Sequence, residues 1–134
     1  MNFPKKVEQY FKSLEQFQES CTEDVNQFIK ILKPMLYKEN SASLTIEVGR
    51  KVDNGFVSLL SATVNNFFVM LDCFENDICI MIKNSVALGK KTMVVFNLNM
   101  VNNISIKTIK HTNVVTYNIY FSYGSVDYHL EIAQ

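Results

Sequence analysis

The chain has no tryptophan, four glycines, two prolines and a single arginine among its 134 residues. Glycines this sparse and scattered exclude a backbone phosphate cradle, and neither a Walker loop nor a G-x-G-x-x-G occurs. G-x-S-x-G, C-x-x-C and H-E-x-x-H are missing as well, which removes common signatures of serine hydrolases, thiol redox proteins and zinc peptidases. Excess charge of one sign is missing too: 13 Lys plus Arg balance 13 Asp plus Glu. Nucleic-acid binding needs a basic face that displaces counterions, and none is evident. Gly89, Lys90, Lys91 and the Lys107/Lys110/His111 turn read as solubility charges at strand ends that discourage edge pairing. No stretch approaches the ~18 uncharged apolar residues of a membrane span. The longest apolar-rich run, residues 56–71, is broken by Ser58, Ser61, Thr63, Asn65 and Asn66.

Cysteine is scarce: Cys21, Cys73 and Cys79 give an odd count with no disulfide framework, which suits a reducing compartment. Residues 1–8 carry no apolar core behind their lysines, so they do not read as a signal peptide. The expectation is a cytoplasmic protein. Twelve Lys against Arg50 alone, with fourteen Asn, is the usage of an AT-rich genome, such as that of a low-GC bacterium or its phage.

What is present divides cleanly. Val7, Tyr10, Phe11, Leu14 and Phe17 recur at helical spacing, with Lys6, Glu8, Lys12, Glu15 and Glu19 on the other side. Pro4 suits the first turn of a helix, where a missing N–H costs little. A second stripe runs through Cys21, Val25, Phe28, Ile29 and Leu32. Ser20 and Glu23 have the spacing of a capping box, so residues 4 to about 33 form one bent helix or two. Pro34 ends the helical part.

From Ser41 to Gln134 the pattern switches to strands. Leu44, Ile46 and Val48 alternate with Thr45, Glu47 and Gly49. Read as a three-residue hairpin loop, Asp53-Asn54-Gly55 pairs Val48 with Leu60, Ile46 with Ala62 and Leu44 with Val64, which keeps one face apolar. Residues 67–74 and 78–83 flank a turn at Glu75-Asn76-Asp77. Asn65-Asn66 reads as a bulge or turn. Residues 92–100 and 104–110 flank Val101-Asn102-Asn103. With a turn at Tyr123-Gly124, Ile119 meets Tyr128 and Phe121 meets Val126, while Asn118 and His129 face each other on the polar side. Residues 84–91 form the longest loop of the sheet part. The expected fold is α+β in a single domain, 1–134: a helical arm, 1–38, on a twisted antiparallel meander of six to eight strands, 41–134.

Few residues combine into chemistry. Asp127-x-His129-x-Glu131 places three ligand types on one strand face, but alternate side chains stand ~6.5–7 Å apart. That is too far to close on one metal with bonds of about 2.1 Å, so the face reads as solvated and His129 as dispensable. Cys73 and Cys79 are equidistant from Asn76 and would face each other across a three-residue turn. With no His nearby in sequence to activate them, they read as buried hydrophobes. The ten Phe mostly fall at core positions.

Strands 67–74 and 78–83 are apolar on both faces, which implies cover on both. The arm supplies one cover. The second face, with Phe68, Met70, Phe74, Ile80 and Ile82 at its centre, then reads as a partner-binding surface. The expected function is a non-catalytic protein-binding module, such as a small inhibitor, immunity, adaptor or accessory protein of bacterial or phage origin. It binds a protein partner or itself, and no cofactor, metal or catalytic residue is expected. The alternatives are a curled-sheet cup for a hydrophobic small molecule, lined by 67–73 and 78–82 with Asp72 as its polar group, or a structural subunit of a homo-oligomeric assembly.

Overall fold

The computed structural model describes residues 4–85 and 91–134. The segment 86–90, which contains Gly89, Lys90 and most of the expected long loop, lies outside the described residues.

Two helices form, α1 (Lys5–Ser20) and α2 (Glu23–Leu32). Cys21 and Thr22 between them are both extended, so the break takes two residues. The N-cap is therefore Thr22 rather than Ser20: its hydroxyl accepts the Val25 N–H at 3.4 Å, satisfying one of the unpaired donors of the first turn. Helix α2 buries Val25, Phe28, Ile29 and Leu32, whereas α1 fully buries only Leu14. A 3-10 turn, Lys33–Met35, carries Pro34 and ends the helical part.

The strands are β1 (Glu39–Asn40), β2 (Ser43–Val52), β3 (Gly55–Val64), β4 (Phe67–Phe74), β5 (Asp77–Asn84), β6 (Lys91–Asn97), β7 (Val101–His111), β8 (Val114–Tyr123) and β9 (Val126–Ala133). They do not make a single meander of six to eight. Among the described residues there are nine strands in two antiparallel sheets, a four-stranded one in the order β1-β4-β5-β6 and a five-stranded one in the order β3-β2-β9-β8-β7. After leaving the sheet of β1 at Ser41-Ala42, the chain changes sheet at Asn65-Asn66 and again at a short 3-10 turn, Leu98–Met100. Both breaks are short, and in sequence a crossing between sheets looks the same as a hairpin. Residues 98–100 therefore leave the strand expected there, and β6 and β7 do not pair.

Registers follow the buried face with two adjustments. Val48↔Leu60, Ile46↔Ala62 and Leu44↔Val64 pair as expected. The loop itself is only Asp53-Asn54, since Val52 pairs with Gly55, and a bulge at Leu59 supplies the compensating residue. In the last hairpin Ile119 pairs with Leu130 and Phe121 with Tyr128. The turn is thus Gly124-Ser125, and the faces stay as expected while the register moves by two.

The two sheets meet at an aromatic cluster. Phe96 of β6 stands edge-on to Phe121 of β8 and to Tyr128 of β9, each at 4.9 Å, and Phe28 of α2 reaches Phe121 at 5.4 Å. Such edge-to-face pairs add to area burial. Tyr37 shields the β4 edge: its hydroxyl donates to Leu71 O and accepts from Leu71 N–H, both at 3.1 Å. Asn40, buried, donates to Met35 O and Lys38 O at 3.0 Å, tying the chain into β1.

Candidate functional site

The five-stranded sheet extends past the four-stranded one on one side. Its edge strand β3 contains no charged residue and no proline. Leu60 and Ala62 point to the inner face, because they pair with Val48 and with Ile46, which is buried. Yet Leu60 is 71% exposed, as is Leu59 at the bulge, and Val57 is 49% exposed. Among the described residues the opposite sheet ends at β6. What remains is an apolar groove of about 200 Å³, with Met93 and Val94 of β6 on one wall, Leu60 and Ala62 on the other, and Ile46 and Tyr128 among its lining. Isolated exposed apolar residues are ordinary; a contiguous set beside a groove marks interaction surfaces.

The surface expected at Phe68, Met70, Phe74, Ile80 and Ile82 is not one face. Leu71 pairs with Ile80, Val69 with Ile82 and Met70 with Met81, so Ile80 and Ile82 point inward. They are core residues, each 1% exposed. The cause is the turn after Phe74: it has two residues, Glu75-Asn76, since Phe74 pairs with Asp77. Phe68, Met70 and Phe74 do share the outer face, joined across the register by Met81 and by Val95 of β6. Phe74 is 63% exposed, whereas Phe68 is half-buried against Tyr37.

The same two-residue turn separates the cysteines. Cys73 pairs with Ile78 and Cys79 with Asp72, so the thiols lie on opposite faces rather than opposite one another, and all three cysteines are free. Burial raises all three thiol pKa values, that of Cys73 to about 11, which keeps them protonated and poorly nucleophilic near neutrality. The wall of the expected cup is filled: Val69, Leu71, Ile80 and Ile82 belong to one buried cluster with Phe28, Phe96 and Phe121. Asp72 accepts from the Tyr10 hydroxyl at 3.3 Å.

The polar face of the five-stranded sheet holds a network that its own strand does not reveal. His129 is 7% exposed rather than solvated. Its Nδ1 lies 2.6 Å from Glu47 Oε1 of β2, and its Nε2 lies 2.8 Å from Asn118 Oδ1 of β8. Its ring stacks on Tyr120 at 4.3 Å and is flanked by Phe56 at 5.9 Å. The hydrogen bond from His129 is the main cause that lowers the Glu47 carboxyl below its ordinary range, so Glu47 accepts and Nδ1 carries a hydrogen. Asn118 meets either ring state, because its amide presents an acceptor or, turned over, a donor. With both nitrogens engaged and the ring buried, no lone pair faces outward for proton transfer. This network joins β2, β9 and β8. Asp127 is held apart from it, accepting from Lys51 N–H at 2.8 Å and from the Ser122 hydroxyl at 2.8 Å, which lowers its carboxyl too. Among the described residues no His, Cys, Asp or Glu cluster could hold a metal ion.

No helix among the described residues is long and apolar enough to cross a membrane. The chain matches no protein family, no curated protein and no solved structure to which it was compared.

Proposed function

We propose that the protein is a non-catalytic protein-binding module, an inhibitor, immunity, adaptor or accessory protein, acting in a reducing compartment such as the bacterial cytoplasm. The observation that carries this reading is the overhang of β3, whose inward residue Leu60 is 71% exposed beside an apolar groove. The groove, at about 200 Å³, is smaller than the roughly 300 Å³ at which small-molecule sites begin. It suits a few aliphatic side chains of a partner better than a lipid or cofactor. The outer face with Phe68, Met70 and Phe74 is the secondary surface, and Phe74 is its most exposed member. The three free thiols favour the reducing compartment.

The test is site-specific photo-crosslinking in the native host, with the reactive side chain placed at position 60, at 74 or at the remote position 109. The reading expects a discrete protein adduct from position 60. If none of the three positions yields a protein adduct, the protein-binding reading fails.

A further inference from the structure

The overhang also specifies what kind of partner fits it. We infer that the partner contributes an extended segment that hydrogen-bonds to the free edge of β6 and becomes a fifth strand of the four-stranded sheet, its inward side chains filling the groove under β3. This rests on the protein-binding reading and adds its mode.

Three observations converge on an extended backbone. First, among the described residues β6 pairs with β5 on one side and with no strand on the other; Asn97 N–H is taken by the Tyr123 hydroxyl at 3.0 Å, and the outward backbone groups before it are a row that an added strand can pair along its length. Second, the two edges of the five-stranded sheet differ: α2 packs on β7, whereas at the β3 edge the inward residue Leu60 is 71% exposed. A strand added to β6 would lie ~4.8 Å beyond it and ~10 Å from the facing sheet, directly beneath β3. Third, both walls are apolar, with Leu60 and Ala62 above and Met93 and Val94 beside. Alternate residues of the added strand point to one face, so the partner segment should read apolar at every second position. Main-chain pairing for affinity with alternate side chains for specificity is the physics of strand addition.

A second copy fits less well. Pairing β6 with the β6 of another copy about a two-fold axis keeps both five-stranded sheets on the same side. Both overhanging β3 strands would then compete for one gap. The uncharged edge of β3 offers self-pairing another route, and the experiment separates it.

The experiment selects ten-residue peptides from a displayed random library on the full chain, synthesises the enriched ones, and measures their affinity and amide hydrogen exchange. The expected result is enrichment of alternating apolar peptides that slow exchange across residues 92–96. Leu60→Asp should then weaken binding at least about tenfold while Ile109→Asp, an exposed apolar residue on the far edge, leaves it unchanged. Thermal melts establish that both variants fold, as the exposure of both positions predicts. Peptides that bind and slow exchange elsewhere, such as across β4, would overturn strand addition at β6 and leave the protein-binding reading intact. No alternating enrichment would also overturn it. So would a wild-type dimer that Leu60→Asp converts to monomer, which would make a second copy the occupant.

Discussion

At the scale of single residues, His129 separates what its own strand predicts from what the fold does with it. In sequence it alternates with Asp127 and Glu131, the pattern of a solvated face, and its strongest partner is 82 positions away. Nothing local marks Glu47 as that partner; only the pairing of β2 with β9, which sets Glu47 opposite His129, brings them together. His129→Ala should therefore not be silent. It leaves the buried Asn118 amide short of a partner and the part-exposed Glu47 carboxylate with only Ser58 beside it, a loss of about 1–2 kcal/mol, read as a lower urea midpoint with an unchanged slope. Acid should act through the same contact. The Glu47 carboxyl is depressed in the fold, so its contribution is complete above the ordinary unfolded carboxylate range and is lost as pH falls through the folded value. Asp127 shifts in the same direction. Urea midpoints measured down through the acid range should fall less steeply in Glu47→Gln than in the wild type; equal slopes would remove Glu47 from the acid response.

At the scale of elements, the helices and most strands are legible because apolar spacing alone gives them. The faces of the β2–β3 and β8–β9 hairpins are also legible, because a one-residue slip would bury polar side chains. Turn lengths are not. The hairpin after Phe74 has two residues where three were expected, and that single residue moves Ile80 and Ile82 from a presumed surface into the core. Ile80→Asp should consequently unfold the protein, since an unpaired buried charge is among the largest single-residue costs. Phe74→Asp should leave the melting temperature nearly unchanged. Gly49 controls the other adjustable element. A Cβ there would stand 1.9 Å from Val57 O across the bulge, a backbone contact that cannot yield without parting the strands. Gly49→Ala should cost about 2 kcal/mol or more and speed amide exchange in β3 while β8 and β9 stay protected. Unchanged β3 exchange would show that the bulge tolerates a side chain.

At the scale of the whole molecule, the sequence has the right classes and the wrong count of layers. Apolar faces on both sides of β4 and β5 imply cover on both; the inner face has it, from a second sheet and α2 rather than from the helical arm alone, while on the outer face Phe74 stays 63% exposed. What hid the second sheet is that Asn65-Asn66 read as a bulge or turn, and that residues 98–100 read as the end of a strand with the turn at 101–103, which instead open β7; a chain crossing between sheets needs no more residues than a hairpin. The exposure of the β3 edge was hidden for the same reason, since it depends on where the second sheet and α2 lie on the first. On the proposed reading the interaction surface is the groove between β3 and β6. The most direct measurement is the affinity of the crosslinked partner, once identified, for the wild type, Leu60→Asp and Phe74→Asp. A loss of at least about tenfold for Leu60→Asp, with Phe74→Asp unchanged, is the predicted result; a loss confined to Phe74→Asp would place the partner on the outer face of the four-stranded sheet and contradict it.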